Sequence, residues 1–184
     1  MKPTTQEGLR YFIAIIPPIA IQEKITSLKN QISDHYGSSH ALKSPPHITL
    51  QMPFRLSEKK KALLFELLNY FNTGLKPFRI ALRDFGFFEP RVIYVAVEAN
   101  QELNRLQKSV AEQCRKQLLI SNSTYKERPY HPHITIGFRD LKKKMFYEAK
   151  TVFAKQHYGA DFLVQRIELI VHEGGRWVLA KDVH

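Results

Sequence analysis

The 184-residue chain has a single cysteine, Cys114. No internal disulfide can form, which excludes the disulfide-stapled secreted scaffolds and suits a reducing compartment. No stretch approaches the roughly 18 to 20 uninterrupted apolar residues of a membrane-spanning helix. The longest N-terminal apolar run, Tyr11 to Ile16, is short and lacks a cleavage-site pattern. The expectation is a soluble, unexported, cytoplasmic protein with no membrane association and no obligatory protein partner. Acidic side chains are scarce, with 17 Asp and Glu against 28 Lys and Arg and a formal charge of +11, which favours polyanionic partners. The excess is shared by both halves, 12 basic and 6 acidic to residue 88 and 16 and 11 beyond, so it is not a basic tail. With 43% hydrophobic and 24% charged residues, the chain can bury a core and falls outside the disordered class.

Hydrophobic periodicity organises the chain into alternating elements. Tyr11 to Ile16 reads as a buried strand ended by Pro17-Pro18, and Ile21, Ile25, Leu28 and Ile32 then mark an amphipathic helix closed at Gly37. Pro46 to Gln51 is a short strand. Ser57 is placed to cap a helix carrying Leu64, Leu67, Leu68 and Phe71 and ending at Gly74, and Phe78 to Phe87 returns to strand. The second half repeats the order. Val92 to Val97 is a strand, and Asn100 caps a helix with Leu103, Leu106, Val110, Cys114 and Leu118 on one face, which makes the lone thiol a buried apolar residue. Ser121 to Arg128 is a polar loop, His133 to Phe138 a strand, and Asp140 a candidate cap for a helix running to about Gly159. Phe162 to Val171 and Arg176 to Ala180 read as closing strands joined at Gly174-Gly175. The expectation is one domain over 1–184 with pseudo-repeat halves at about 8–88 and 89–184, each strand-helix-strand-helix-strand.

Inside this repeat, Pro46-His47-Ile48-Thr49-Leu50 recurs as Pro132-His133-Ile134-Thr135-Ile136, 86 residues later. Both copies follow a loop and sit on the short strand between two helices, which reads as a duplicated unit. Strand alternation puts His47 and Thr49, and likewise His133 and Thr135, on one face, with the apolar residues opposite to anchor each strand. Two facing imidazoles suit a reaction in which one proton is removed and another donated near neutrality, such as phosphodiester hydrolysis. The catalytic candidates are therefore His47 and His133. Thr49 and Thr135 are candidates for holding phosphate oxygens.

His131-Pro132-His133 puts two imidazoles on one face, but no cysteine or carboxylate cluster at ligand spacing accompanies them, so no metal and no cofactor is expected. His35, His40, His157, His172 and His184 lack any such context. Lys59 to Lys61 and Lys142 to Lys144 read as solvated faces. Phe85, Phe87, Phe88, Tyr94 and Tyr130 read mainly as core, with room for one or two to stack on a nucleobase near a cleft.

The paired His-x-Thr-x signature within duplicated strand and helix order resembles the two-histidine phosphoesterase superfamily, and within it the group of 2′-5′ RNA ligases or RNA cyclic phosphodiesterases. Tyr11 to Ile15 with Pro17-Pro18 is similar to that group's opening strand, and Phe78 to Val97 to its central strand pair. The resemblance implies a bilobal α+β fold with antiparallel-rich sheets around a central cleft. It also implies metal-independent chemistry on RNA or nucleotides carrying 2′,3′-cyclic phosphates or 2′-5′ linkages. Reverse joining of RNA ends at the same site is one alternative, and RNA binding without turnover is another. Many members carry an arginine five positions after the second histidine. Here that position is Phe138, and a strand that stayed regular would carry Arg139 onto the His133 face as a further phosphate-binding candidate.

Overall fold

A computed structural model describes residues 8–120 and 129–180. The predicted loop at 121–128 and His184 lie outside them. Strand β1 (Arg10–Ile15) is stopped by the two prolines, and α1 (Ile19–Tyr36) starts directly after them. Gly37 closes α1 in the left-handed conformation at φ 68°, its N–H reaching the Ser33 carbonyl. A single 3-10 turn, His40–Lys43, leads to β2 (Ile48–Arg55). The chain continues through α2 (Lys61–Gly74), β3 (Phe78–Phe88), β4 (Val92–Val97), α3 (Gln101–Gln117) and β5 (His133–Gly137). It ends with α4 (Lys143–Phe153), β6 (Gly159–Val164), β7 (Glu168–Glu173) and β8 (Arg176–Leu179). Among the described residues no helix is long and apolar enough to cross a membrane.

The strands form two antiparallel four-stranded sheets, ordered β2-β1-β7-β8 and β5-β4-β3-β6. Their internal likeness is plain. Each motif-bearing strand, β2 or β5, is an edge strand beside the strand that opens its repeat. The third position in each sheet goes to a strand from the other half, β7 beside β1 and β3 beside β4. Neither sheet is thus assembled from one sequence half alone. Helix α1 lies against β5, so closely that a Cβ on Gly137 would come within 3.0 Å of Ile32. Helix α3 lies against β2. The isoleucines and leucines of both motifs, Ile48, Leu50, Ile134 and Ile136, are at most 1% exposed in one continuous core. Burying a side chain of this size contributes roughly 1.5 to 3 kcal/mol, so each edge strand is anchored by its apolar face.

Several local expectations hold. Asn100 caps α3 by accepting from the Leu103 N–H at 2.8 Å. Cys114 is buried with Leu103, Leu106, Val110 and Leu118, and burial pushes its thiol up to about 12. The β7–β8 turn carries Gly174 and Gly175 at φ 54° and 79°, as a tight two-residue hairpin loop requires. Others need correction. The run Phe162 to Val171 is two strands in two different sheets, because Asn72 of α2 binds the linker between them as a peptide would. Its amide donates to the Ile167 carbonyl at 3.1 Å and accepts from the Ile167 N–H at 2.8 Å. Ser57 makes no side-chain cap. Asp140 does not cap α4, which begins three residues later. Its carboxylate instead accepts from the Ser38 hydroxyl at 2.6 Å and from the Ser39 and His40 N–H groups at 3.0 and 2.9 Å. It thereby ties the turn after β5 to the segment that leads into β2.

Candidate active site

The face opposite the core carries the polar half of each motif. In β1, Tyr11, Ile13 and Ile15 join the main core, while Phe12 and Ala14 form a separate cluster on the other face with Ile170. Thr49 pairs with Ala14 across the sheet, and the His47 ring sits 4.6 Å from Phe12, so both motif residues stand on this second face. In the other sheet, Thr135 pairs with Tyr94 and His133 with Ala96, again opposite the buried isoleucines. The Tyr130 hydroxyl donates to the Thr49 carbonyl at 2.9 Å and so joins the approach to β5 directly to β2. The two half-buried imidazoles are near enough for a charge on His133 to act on His47.

The two histidines are held in the same way. Nδ1 of His47 lies 2.7 Å from the carbonyl of Pro45, and Nδ1 of His133 lies 2.7 Å from the carbonyl of His131. A carbonyl can only accept, so each Nδ1 carries its hydrogen and each neutral ring keeps an unprotonated Nε2. The cause is local. In both copies a proline precedes the histidine, which holds the residue before it in an extended conformation and turns that residue's carbonyl toward the ring. Among the described residues, neither the Thr49 nor the Thr135 hydroxyl is engaged in a hydrogen bond, so both remain available to a ligand.

Burial shapes the electrostatics. It drives the His47 pKa down to about 4, assisted by the nearby Lys29 and His133 charges and opposed by the Pro45 carbonyl bond. His133 is also lowered, by burial first and by His131, against its own carbonyl bond. Both rings are therefore neutral near pH 7 in the unliganded protein, and His47 is the more strongly held in that state. Lys29 was not anticipated as a functional residue. It is 2% exposed on the buried stripe of α1, its ammonium donates to the Ser44 carbonyl at 2.9 Å, and burial lowers it to about 8. Its signal was legible, since a lysine four residues after Ile25 and three before Ile32 falls on the apolar face of the helix.

An aromatic wall stands beside His133. Tyr94 and Phe88 lie 5.0 and 5.1 Å from its ring and 4.5 Å from each other. Two backbone features create this wall. Asp84 takes φ 54° at a bulge in β3, its carboxylate accepting from the Tyr158 N–H at 3.0 Å, and the bulge switches the alternation. Ile80 and Leu82 face the core before it, whereas Phe85 and Phe87 do so after it, packing on Phe153 and Phe146 and leaving Gly86 and Phe88 on the site face. Gly86 then makes room for Tyr94, whose ring atoms would lie 2.3 Å from any Cβ placed there.

Arg139 stands apart from this arrangement. Strand β5 ends at Gly137, and Arg139 turns left-handed at φ 63°, so regular alternation stops before it. Its guanidinium lies 5.5 Å over Phe138, on an exposed surface near His40. Lys60 donates to the Leu118 carbonyl, and Lys144 pairs with Glu148 on the surface of α4.

The fold and the sequence have counterparts among known proteins. Two candidate phosphoesterases, from Geobacillus kaustophilus and from Geobacillus sp. strain WCH70, are 30% and 31% identical over 174 and 176 residues, covering 93% of this chain and 93% of each relative. Among solved structures, TT0787 of Thermus thermophilus superposes with a TM-score of 0.67 at 20% identity over 93% of each chain. The E. coli LigT complex with 3′-AMP does so with a TM-score of 0.63 at 21% identity over 95% of each. These two likenesses are of fold. The sequence profile of one family matches residues 17–176, from the end of β1 to the start of β8 and across both motifs, and on that match the chain belongs to the 2′-5′ RNA ligase superfamily.

Proposed function

We propose that the protein is a phosphodiesterase that hydrolyses 2′,3′-cyclic phosphate or 2′-5′ linkages of RNA or small nucleotides without a metal ion. The supporting observation is the matched pair of Nδ1–carbonyl bonds, both 2.7 Å, which leaves an unprotonated Nε2 on each ring for proton transfer. The names of the Geobacillus relatives and the 3′-AMP bound by LigT point to the same chemistry.

In this reading the anionic phosphate lies between the rings. The Thr49 and Thr135 hydroxyls donate to its non-bridging oxygens. Its charge favours an imidazolium, and His133 takes the proton because His47 is held the more firmly neutral. His47 Nε2 then accepts a proton from water as the water oxygen bonds to phosphorus. His133 Nε2 gives its proton to the ribose oxygen as the P–O bond breaks. One such group contributes about 10² to 10⁴ in rate. The decisive experiment is incubation with a 2′,3′-cyclic nucleotide followed by phosphorus NMR of the product. Release of a phosphomonoester, abolished by His47→Ala and by His133→Ala, is expected. Binding without turnover would make the site a phosphate-binding site only, and joining of nicked RNA halves would identify the reverse reaction.

A further inference from the structure

The face that carries His47 extends past it along a line of rings. Phe12 is 4.6 Å from His47, Trp177 is 4.8 Å from Phe12, and His172 is 4.9 Å from Trp177. At the end of the line Arg10 places Nη2 2.9 and 3.0 Å from the two ring nitrogens of His172 and lies 5.5 Å over the Trp177 ring. Among the described residues no carboxylate pairs with Arg10. The acid next to His172, Glu173, belongs to the opposite face by strand alternation, where its charge acts on Tyr11. Burial lowers the His172 pKa, and the positive charges of Arg10 and Lys43 lower it further. A half-buried guanidinium facing an imidazole and a lysine is a cation short of its counter-ion.

We propose that Arg10, His172 and Trp177 form a second subsite that binds the internucleotide phosphate next to the reacting one, so that the preferred substrate is an oligonucleotide end and not a lone nucleotide. The inference rests on the reading of His47 and His133 as a phosphodiester site. Only Phe12 and Trp177 separate the His47 ring from Arg10, which puts the cation one or two units along a strand whose end is held at His47. The guanidinium supplies a planar pair of donors to phosphate oxygens, and the Trp177 surface carries the sugar and base between the two phosphates. The net charge of +11 favours such a strand over a neutral ligand.

Trp177 is the only tryptophan, so its emission reports on this subsite whether or not chemistry occurs. The test compares two dinucleotides of the same bases ending in a 2′,3′-cyclic phosphate, one with an ordinary linkage and one with an uncharged methylphosphonate linkage. Affinity is read from Trp177 emission and kcat/KM from product release. Wild-type protein should favour the charged linkage by about tenfold or more in both readouts, and Arg10→Gln and His172→Gln should bring that ratio toward one. Because the ratio is taken within one sample, partial misfolding of a variant does not alter it. An unchanged ratio in the variants, or no preference in the wild type, would overturn the subsite. Absence of turnover on both substrates would count against the phosphodiesterase reading instead, and the emission ratio would still decide the subsite.

Discussion

Replacing Lys29 by Met tests how the fold sets the state of His47. Lys29 falls from the usual lysine value of 10.5 to about 8 because burial disfavours its charge. The unfolded chain keeps this proton up to the usual value, whereas the folded chain releases it near 8. Between those limits the unfolded state binds more protons, and stability rises with pH. The shift corresponds to about 3 kcal/mol, absent below pH 8 and fully present above about 10.5. Met removes the charge penalty but leaves the Ser44 carbonyl without its donor, a loss of roughly 1 to 3 kcal/mol. The two effects nearly offset at pH 7, so the variant should stay folded and lose the rise in stability that Lys29 gives above pH 8.

The same substitution acts on the site. The titratable groups facing His47 are Lys29 from α1 and His133 from β5, and the positive charge of each lowers its pKa. Without Lys29, His47 should titrate at higher pH, and the acidic limb of kcat/KM on a 2′,3′-cyclic nucleotide should move up with it. The turn whose Pro45 carbonyl holds the ring also loses its tether at Ser44, so kcat should fall. Urea midpoints at pH 7 and 9.5, histidine NMR titration and the activity profile check these three outcomes. A wild-type stability that did not rise above pH 8, or a His47 titration unmoved or lowered in the variant, would refute the reasoning.

Four further outcomes follow from the same geometry. His47→Ala and His133→Ala should each remove about 10² or more of kcat, and the double variant should cost far less than the product, measured as single-turnover rates. Gly86→Ala should force Tyr94 off β3 and, through it, the wall beside His133, raising KM on a cyclic nucleotide more than it lowers the melting temperature. Ile134→Ala opens the core beneath β5 and should destabilise by about 2 to 5 kcal/mol in urea. Activity on a cyclic nucleotide should persist in EDTA, since the proposed proton transfers use only the two imidazoles; loss restored by a divalent ion would contradict that.

The element order and the two-faced character of β2 and β5 were legible because they rest on period-2 and period-3.6 patterns within single segments. What stayed hidden depends on residues distant in sequence. The apolar run from Phe162 to Val171 gives no sign of its break, because the break is made by Asn72 on α2, 95 residues before Ile167. Asp140 has the chemistry of a helix cap and the preceding turn to suit it, yet Ser38, Ser39 and His40 compete for its carboxylate and win. Arg139 was placed on the site face by extending a periodicity one step too far. The left-handed turn that ends it falls on a non-glycine residue, where no sequence signal announces it.

The prolines before the two histidines show how much a short motif can carry when its backbone consequence is followed through. The repeated His-x-Thr draws attention to side chains, but the orientation of each ring comes from the carbonyl two residues upstream, Pro45 in one copy and His131 in the other. Those two residues share no side-chain chemistry. What they share is the proline that follows, which keeps each extended and aims its carbonyl. The structural unit of the repeat is therefore two residues longer than its side-chain chemistry suggests, x-Pro-His-x-Thr, and its first position contributes only backbone. Asymmetry between the two imidazoles then has to come from outside the repeat. Burial supplies most of it, and Lys29 adds to it: α1 carries this buried cation beneath the loop that enters β2, so two identically held histidines differ in their readiness to take a proton.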